Sequence, residues 1–213
     1  MRVSVFDLDH TLACGNVSFA FGRFLFSKKE LSLLQSLYLA GVYSLHKLGV
    51  CSLSHLHKAA FRCFFYNKCK KKIAALADEF LRLKKKTLFR PDLLKLLFCA
   101  MKEGQEVWIL SSSPDFLVEK VATLLGVAHY AGSCYKEDEQ GKFSCISSIM
   151  DGKTKEAVLD QFLQETGWNN VVVYTDSILD LPLLEKAGVP IAVFPDRALR
   201  KVAKSKSWNV WEG

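Results

Sequence analysis

The chain has 213 residues, half of them hydrophobic and 24% charged. That is enough apolar material for one large domain, or a domain with a smaller insertion, and too much for a disordered segment. Its seven cysteines (Cys14, Cys51, Cys63, Cys69, Cys99, Cys134, Cys145) form no C-x-x-C pair, which argues against a disulfide framework or zinc site and for reduced, core-packed thiols in a cytoplasmic protein. The net charge of +7 is uneven: Lys47 to Arg90 holds twelve Lys/Arg and two acids, a balance of +10, so the remainder carries −3.

Taken in order, Val3, Val5 and Phe6 favour an extended strand that opens the fold with no signal peptide before it. The strand runs into Asp7, Asp9 and Thr11. Two carboxylates this close repel each other unless a cation or a shared proton offsets them. A loop at 13–17 leads into a largely helical region to about Lys86, loosened at Gly41 and Gly49. Some seventy residues of helix before the next strand is far longer than an ordinary crossover and reads as an inserted helical subdomain.

The most apolar stretch, Leu31 to Leu45, is interrupted by serines and Gln35. It is shorter than the roughly twenty apolar residues a spanning helix needs, so it reads as a buried or interfacial helix. The lysines that follow read as a solvated helix face. The alternative is a field that draws in phosphorylated substrates or anionic lipid. Without interleaved stacking aromatics, nucleic acid is not an expected partner.

From Pro91 a helix runs to Gly104, and Glu106 to Leu110 is a buried strand ending in Ser111-Ser112-Ser113-Pro114. Asp115 starts a helix to Gly126. His129 to Ser147 suggests a hairpin, or a third strand with an excursion. Lys153 or Lys155 opens a helix stopping at Gly167. Val171 to Tyr174 is a strand ending in Thr175-Asp176-Ser177 and then Asp180. The helix Leu181 to Ala187, a last strand Pro190 to Phe194 and a terminal helix Asp196 to Ser205 complete the chain. Repeated strand–helix alternation argues for a parallel sheet with right-handed crossovers.

Three strands thus end in polar residues: Asp7/Asp9, Ser111 and Asp176/Asp180. In a parallel sheet these ends lie along one edge and can share a site. The chemistry they suit is phosphoryl transfer. A carboxylate attacks phosphorus, a divalent cation offsets the charge, and hydroxyl and ammonium donors hold the oxygens. Magnesium suits such hard oxygen ligands. Each residue also has a local explanation: Ser111 can begin a loop, Asp176 can cap a helix, and either lysine can be solvated.

Through Phe6-Asp7-Leu8-Asp9-His10-Thr11-Leu12, Leu110 to Leu117, and Thr175 to Leu184, the chain resembles the haloacid dehalogenase-like superfamily, in its phosphoserine-phosphatase-like branch. The resemblance implies a Rossmann-like three-layer α/β core with a mostly parallel sheet (1–13 plus 88–213) and an inserted helical cap (14–87). It implies Asp7 as nucleophile and Asp9 as acid and then base. Magnesium would be held by Asp7, the Leu8 carbonyl and Asp176, with Asp180 supporting. Ser111, Thr11 and Lys155 (Lys153 as second choice) would serve the phosphate, Thr11 by steadying the nucleophile loop. His10 stands where small residues are commoner, and Thr175 where glycine is usual. His10, Arg23 and Arg62 are candidate substrate contacts. The expected function is magnesium-dependent hydrolysis of a small, phosphoserine-like phosphomonoester by a monomer or weak dimer. The alternatives are a phospholipid-headgroup phosphatase, with the basic, apolar cap in peripheral membrane contact, and a non-catalytic anion- or lipid-binding protein.

Overall fold

The computed structural model describes residues 1–164 and 167–213. Its frame is one sheet of seven strands among the described residues, in the order β4-β3-β2-β1-β5-β6-β7. β1 (Val3–Asp7) is central, paired in parallel with β2 (Glu106–Pro114) and β5 (Val171–Thr175). β3 (His129–Glu137), β6 (Val189–Val193) and β7 (Asn209–Trp211) extend it in parallel, and β4 (Phe143–Ser148) adds an antiparallel edge.

Strand alternation divides the side chains between two apolar layers. On one face Phe6, Val107 and Ile109 join the side chains of α5 (Pro91–Lys102) and α6 (Asp115–Leu125). On the other, Val3, Val5, Trp108 and Leu110 meet α7 (Gly152–Leu163), α8 (Leu181–Lys186) and α9 (Arg197–Ser205). The result is a helix–sheet–helix sandwich, with the strand ends of β1, β2 and β5 open along one edge.

Between β1 and α5 come α1 (Val17–Ser27), α2 (Leu33–Lys47), α3 (Leu53–Phe64) and α4 (Lys70–Leu88). Side-chain caps start three of them: Asn16 accepts from Phe19 N, Ser32 forms a reciprocal pair with Gln35, and Ser52 accepts from His55 N. Phe21 packs on Phe80 and Phe116, and Phe65 on Phe116 and Phe143, so the insertion shares its apolar cluster with the sheet layer.

Several expectations need correction. Of the two readings of Leu31 to Leu45, a buried or an interfacial helix, full burial does not hold: Leu33, Leu34, Leu37, Tyr38 and Leu45 are exposed, while Leu39 and Val42 of α2 face the core. Apolar residues go nearly all the way round this helix, so composition could not assign its inner face. Gly41 lies inside α2 without breaking it. No described helix is long and apolar enough to cross a membrane. The cysteines are free and none is fully buried; Cys51 and Cys63 pack against the core cluster, whereas Cys69 precedes the first turn of α4. The helix expected to stop at Gly167 ends at Leu163, and residues 165 and 166 lie outside those described. The strand β7 was not anticipated.

Candidate active site

Asp7 is the last residue of β1 and is buried. After it the chain turns through Leu8–Leu12, closed by Ala13 N donating to the Leu8 carbonyl at 2.9 Å. Asp9 is extended and His10 left-handed, with φ of 60°. The turn sends Asp9 toward α1, where Val17 N donates to its Oδ1 at 2.6 Å. Its Oδ2 accepts from Ser111 Oγ at 3.1 Å and Ser113 Oγ at 2.8 Å. One carboxylate is thus held by a helix N-terminus and two hydroxyls of β2.

Asp7 has a different setting. Lys155 Nζ lies 2.7 Å from Asp7 Oδ1 and 2.8 Å from Asp180 Oδ2. Asp151 caps α7 through Thr154 N, and from that start Lys155, Leu159 and Leu163 fall on the buried face. Gly152 lets α7 approach closely: a Cβ there would meet the Leu179 carbonyl oxygen at 2.0 Å. Thr175 Oγ1 donates to Asp180 Oδ2 at 2.7 Å. Thr11 Oγ1 donates to Asp176 Oδ1 at 3.4 Å.

Burial pushes Asp7 well above the usual 3.8; Lys155 pulls it down, while Asp180, Asp176 and Asp9 push it further up. Burial opposes the charge on Lys155, but the carboxylates of Asp180 and Asp7 outweigh it and hold the ammonium above its ordinary pKa. Lys155 thus offsets two carboxylates, Asp7 and Asp180, while Asp176 and Asp9 add negative potential at Asp7 that a bound cation would relieve.

A sequence model of the haloacid dehalogenase-like hydrolases matches residues 4–185. The chain belongs to that family. Among relatives of this hydrolase, a probable phosphatase of Mycobacterium tuberculosis is 26% identical over 215 residues, covering 96% of this chain and 73% of that protein. A phosphoserine phosphatase of the same organism is 25% identical over 214 residues, covering 96% and 68%. A histidinol-phosphatase of Neisseria meningitidis is 33% identical over 116 residues, 50% of this chain and 51% of that protein, so the match spans about half the length of that relative. Among solved structures, a Bordetella pertussis protein of unknown function superposes with a TM-score of 0.87 at 20% identity, covering 100% of this chain and 99% of that one. A substrate-bound phosphoserine phosphatase gives 0.74 at 14% identity, covering 100% and 93%. At these identities the structural likeness concerns the fold.

In this hydrolase Asp7, Asp9, His10, Lys155, Asp176 and Asp180 line one cleft. Ser111 adjoins it through Asp9, and also accepts from Ser113 N at 3.0 Å. Lys153 is exposed and outside the cluster. Arg23 and Arg62 are exposed and line neither the cleft nor the cavity beside it. Sequence reading passed over Ser113, which alternation puts on the same side of β2 as Ser111. It also passed over Tyr43, which α2 brings to the cleft and whose hydroxyl is pushed up by burial and then by Asp9 and Asp176.

Proposed function

We propose that this hydrolase cleaves phosphate monoesters through a phospho-aspartyl intermediate on Asp7, with magnesium as its cofactor. The observation that carries this reading is the contact of Lys155 with both Asp7 and Asp180. Beside that contact, Asp9 sits in a second environment of hydroxyl and amide donors. Two neighbouring carboxylates in unlike surroundings can take unlike roles, one as nucleophile and one as acid and base.

In the first half-reaction an Asp7 oxygen bonds to phosphorus as the ester P–O bond breaks, and protonated Asp9 gives its proton to the departing oxygen. In the second, Asp9 takes a proton from water, whose oxygen bonds to phosphorus as the Asp7 O–P bond breaks. Phosphate leaves and Asp9 ends protonated again. Lys155 orients Asp7 and offsets charge on the phosphoryl oxygens. Ser111 would turn from Asp9 to the phosphoryl group, and Thr11 would steady the loop through Asp176. Tyr43 and Leu56 reach the cleft from the inserted helices, which supports reading residues 14–87 as a cap over the site.

Among the described residues, no group of three His, Cys, Asp or Glu side chains is placed to hold a metal ion alone. The donors still suit magnesium, which takes one or two carboxylates and completes its shell with water and substrate phosphate. Asp7 and Asp176 would be those carboxylates, supported by Asp180. The Leu8 carbonyl accepts from Ala13 N and keeps a second lone pair, so it stays in the proposed set as the backbone ligand. When bound, magnesium would supply the positive charge that the cluster lacks.

Hydrolysis of an aryl phosphate with magnesium and with chelator tests the reading directly. Activity is expected only with the metal, and folded Asp7→Asn is expected to be inactive. Wild-type-like turnover by Asp7→Asn would remove Asp7 from its role. Phosphate binding without any turnover by the wild type would instead favour the anion-binding alternative.

The exposed apolar side of α2 favours a second reading, a headgroup phosphatase working at a membrane surface. Leu34 is 78% exposed and Leu37 61%, with Lys28 and Lys29 just upstream. Sedimentation with phosphatidylglycerol vesicles tests it: this reading requires binding that Leu34→Glu abolishes.

A further inference from the structure

Beside the cleft, α1, α2, α3 and the end of β2 enclose a second cavity of ≈ 100 Å³ that shares Asp9 and Tyr43 with it. A single water requires only about 10–15 Å³, so the space admits a group the size of a ring. Phe19, Leu39, Leu56, Ala60 and Phe64 form much of its wall. Asp9 is the only charged side chain lining it among the described residues.

Besides the neutral side chains of Asn16, Ser18, Tyr43, Ser112 and Ser113, the wall carries a buried pair, His57 Nδ1 and Tyr135 Oη, 3.0 Å apart. Burial, followed by the charge of His46, pushes His57 down to about 4, so its imidazole is neutral near pH 7. The Tyr135 hydroxyl is pushed up by burial and then by Asp115, so it too is neutral. This wall can exchange hydrogen bonds but offers no charge.

The amino-acid part of phosphoserine would bring a carboxylate and an ammonium into this space. Arg23 and Arg62, the cationic candidates for substrate contact, are exposed and off the cavity wall. A buried carboxylate without a partner costs several kcal/mol. The apolar wall instead gains from every methylene or ring carbon it takes from water.

Resting on the hydrolase reading above, the geometry points to a substrate class: phosphate monoesters of uncharged, apolar-bodied alcohols. The aryl or branched alkyl body occupies the cavity beside Asp9, with at most one neutral hydrogen-bonding group meeting His57 and Tyr135. Phosphoserine-like zwitterions are disfavoured. In this assignment Ala60 sets how large a body the cavity accepts.

The test compares kcat/KM for benzyl phosphate, O-phospho-L-serine and methyl phosphate with magnesium. Benzyl phosphate is expected to exceed phosphoserine by at least about tenfold, within the range that apolar pocket contacts give. Ala60→Trp is expected to lower the benzyl-to-methyl ratio by a similar factor. Because that variant can misfold, competition on the wild type is a second measurement: benzylphosphonate should inhibit more tightly than 2-amino-4-phosphonobutyrate. Equal or better turnover of phosphoserine, or tighter binding of the charged phosphonate, overturns the substrate class and leaves the hydrolase reading intact. A folded Ala60→Trp protein with an unchanged ratio does the same. Failure of the wild type to hydrolyse any of the three esters overturns the hydrolase reading, and the substrate class with it.

Discussion

Thr175 Oγ1 and Lys155 Nζ meet on the same oxygen, Asp180 Oδ2, at 2.7 and 2.8 Å. The threonine stands where glycine was the familiar residue, and its hydroxyl fixes the carboxylate that steadies Lys155. Thr175→Val keeps the shape and removes that donor from a buried acceptor. The expected result is a stability loss of about 1–3 kcal/mol, with kcat falling more than KM rises, because Thr175 acts through Asp180 and through the bond it accepts from Ser177 N at 3.3 Å, without lining the cleft itself. Urea melts and steady-state kinetics check both. Full kcat would show that Asp180 needs no help from this residue.

Gly152→Ala sets a methyl group against the Leu179 carbonyl, 2.0 Å from the ideal Cβ position. Backbone cannot swing aside as a long side chain can, so α7 must move away from the Leu179–Asp180 turn. A cost of about 1–3 kcal/mol is expected, together with reduced activity as Lys155 retreats from Asp180. A variant with unchanged melting and kinetics would mean that the helix has room to spare.

His57 links stability to pH. Its folded pKa is lowered from 6.5 to about 4 by burial first and His46 second, so below pH 6.5 the unfolded chain takes a proton that the folded one refuses. The contribution is fully present above about pH 6.5. It falls as the pH drops and levels off below about 4, for a total on the order of 3 kcal/mol. His57→Gln retains a hydrogen-bonding side chain without the titration. Its unfolding free energy should therefore decline less between pH 7 and 4.5 than the wild type's; parallel curves would refute the assignment.

In the basic stretch, Lys72 lies 2.6 Å from Glu30 and Lys70 3.7 Å from Glu137. These pairs are partly exposed, and such pairs contribute at most about 1 kcal/mol each. Reversing Lys70, Lys71 and Lys72 to Glu places like charges opposite both acids and is expected to cost stability. At physiological salt, kcat/KM is expected to stay within about twofold, since exposed charges are screened over roughly 8 Å. A large loss at low salt that disappears at high salt would instead identify these lysines as steering substrate.

The ends of β1 and β5 were legible because runs of β-branched and bulky apolar residues stop abruptly at polar ones, Val5-Phe6-Asp7 and Tyr174-Thr175-Asp176; β2, expected to end at Leu110, runs on through the serines to Pro114. Lys155 was favoured over Lys153, and the structure puts it with Leu159 and Leu163 on the buried face of α7. Contacts across great separations were not legible, such as Lys155 with Asp7, 148 residues apart. Nor was the pairing of His57 with Tyr135, since nothing local to either residue announces the other. β7 escaped notice because three residues are too few to show alternation. Which side of α2 faces outward was not legible, because its apolar residues point nearly everywhere.

The position of β1 also bears on how the protein is made. Its five residues lie near the start of the sequence, yet their partners on either side begin at Glu106 and Val171. A chain leaving the ribosome therefore carries Asp7 on an unpaired hydrophobic strand until β2 has emerged, and on a strand with one neighbour until β5 follows. The helices of residues 17–88 can form locally in the meantime, but the central strand must wait for both neighbours, a non-local closure that slows folding and leaves sticky surface exposed. A message truncated before Val171 would leave β1 without one of its neighbours, and would make a polypeptide lacking Asp176 and Asp180 altogether: the natural client of a chaperone or a protease.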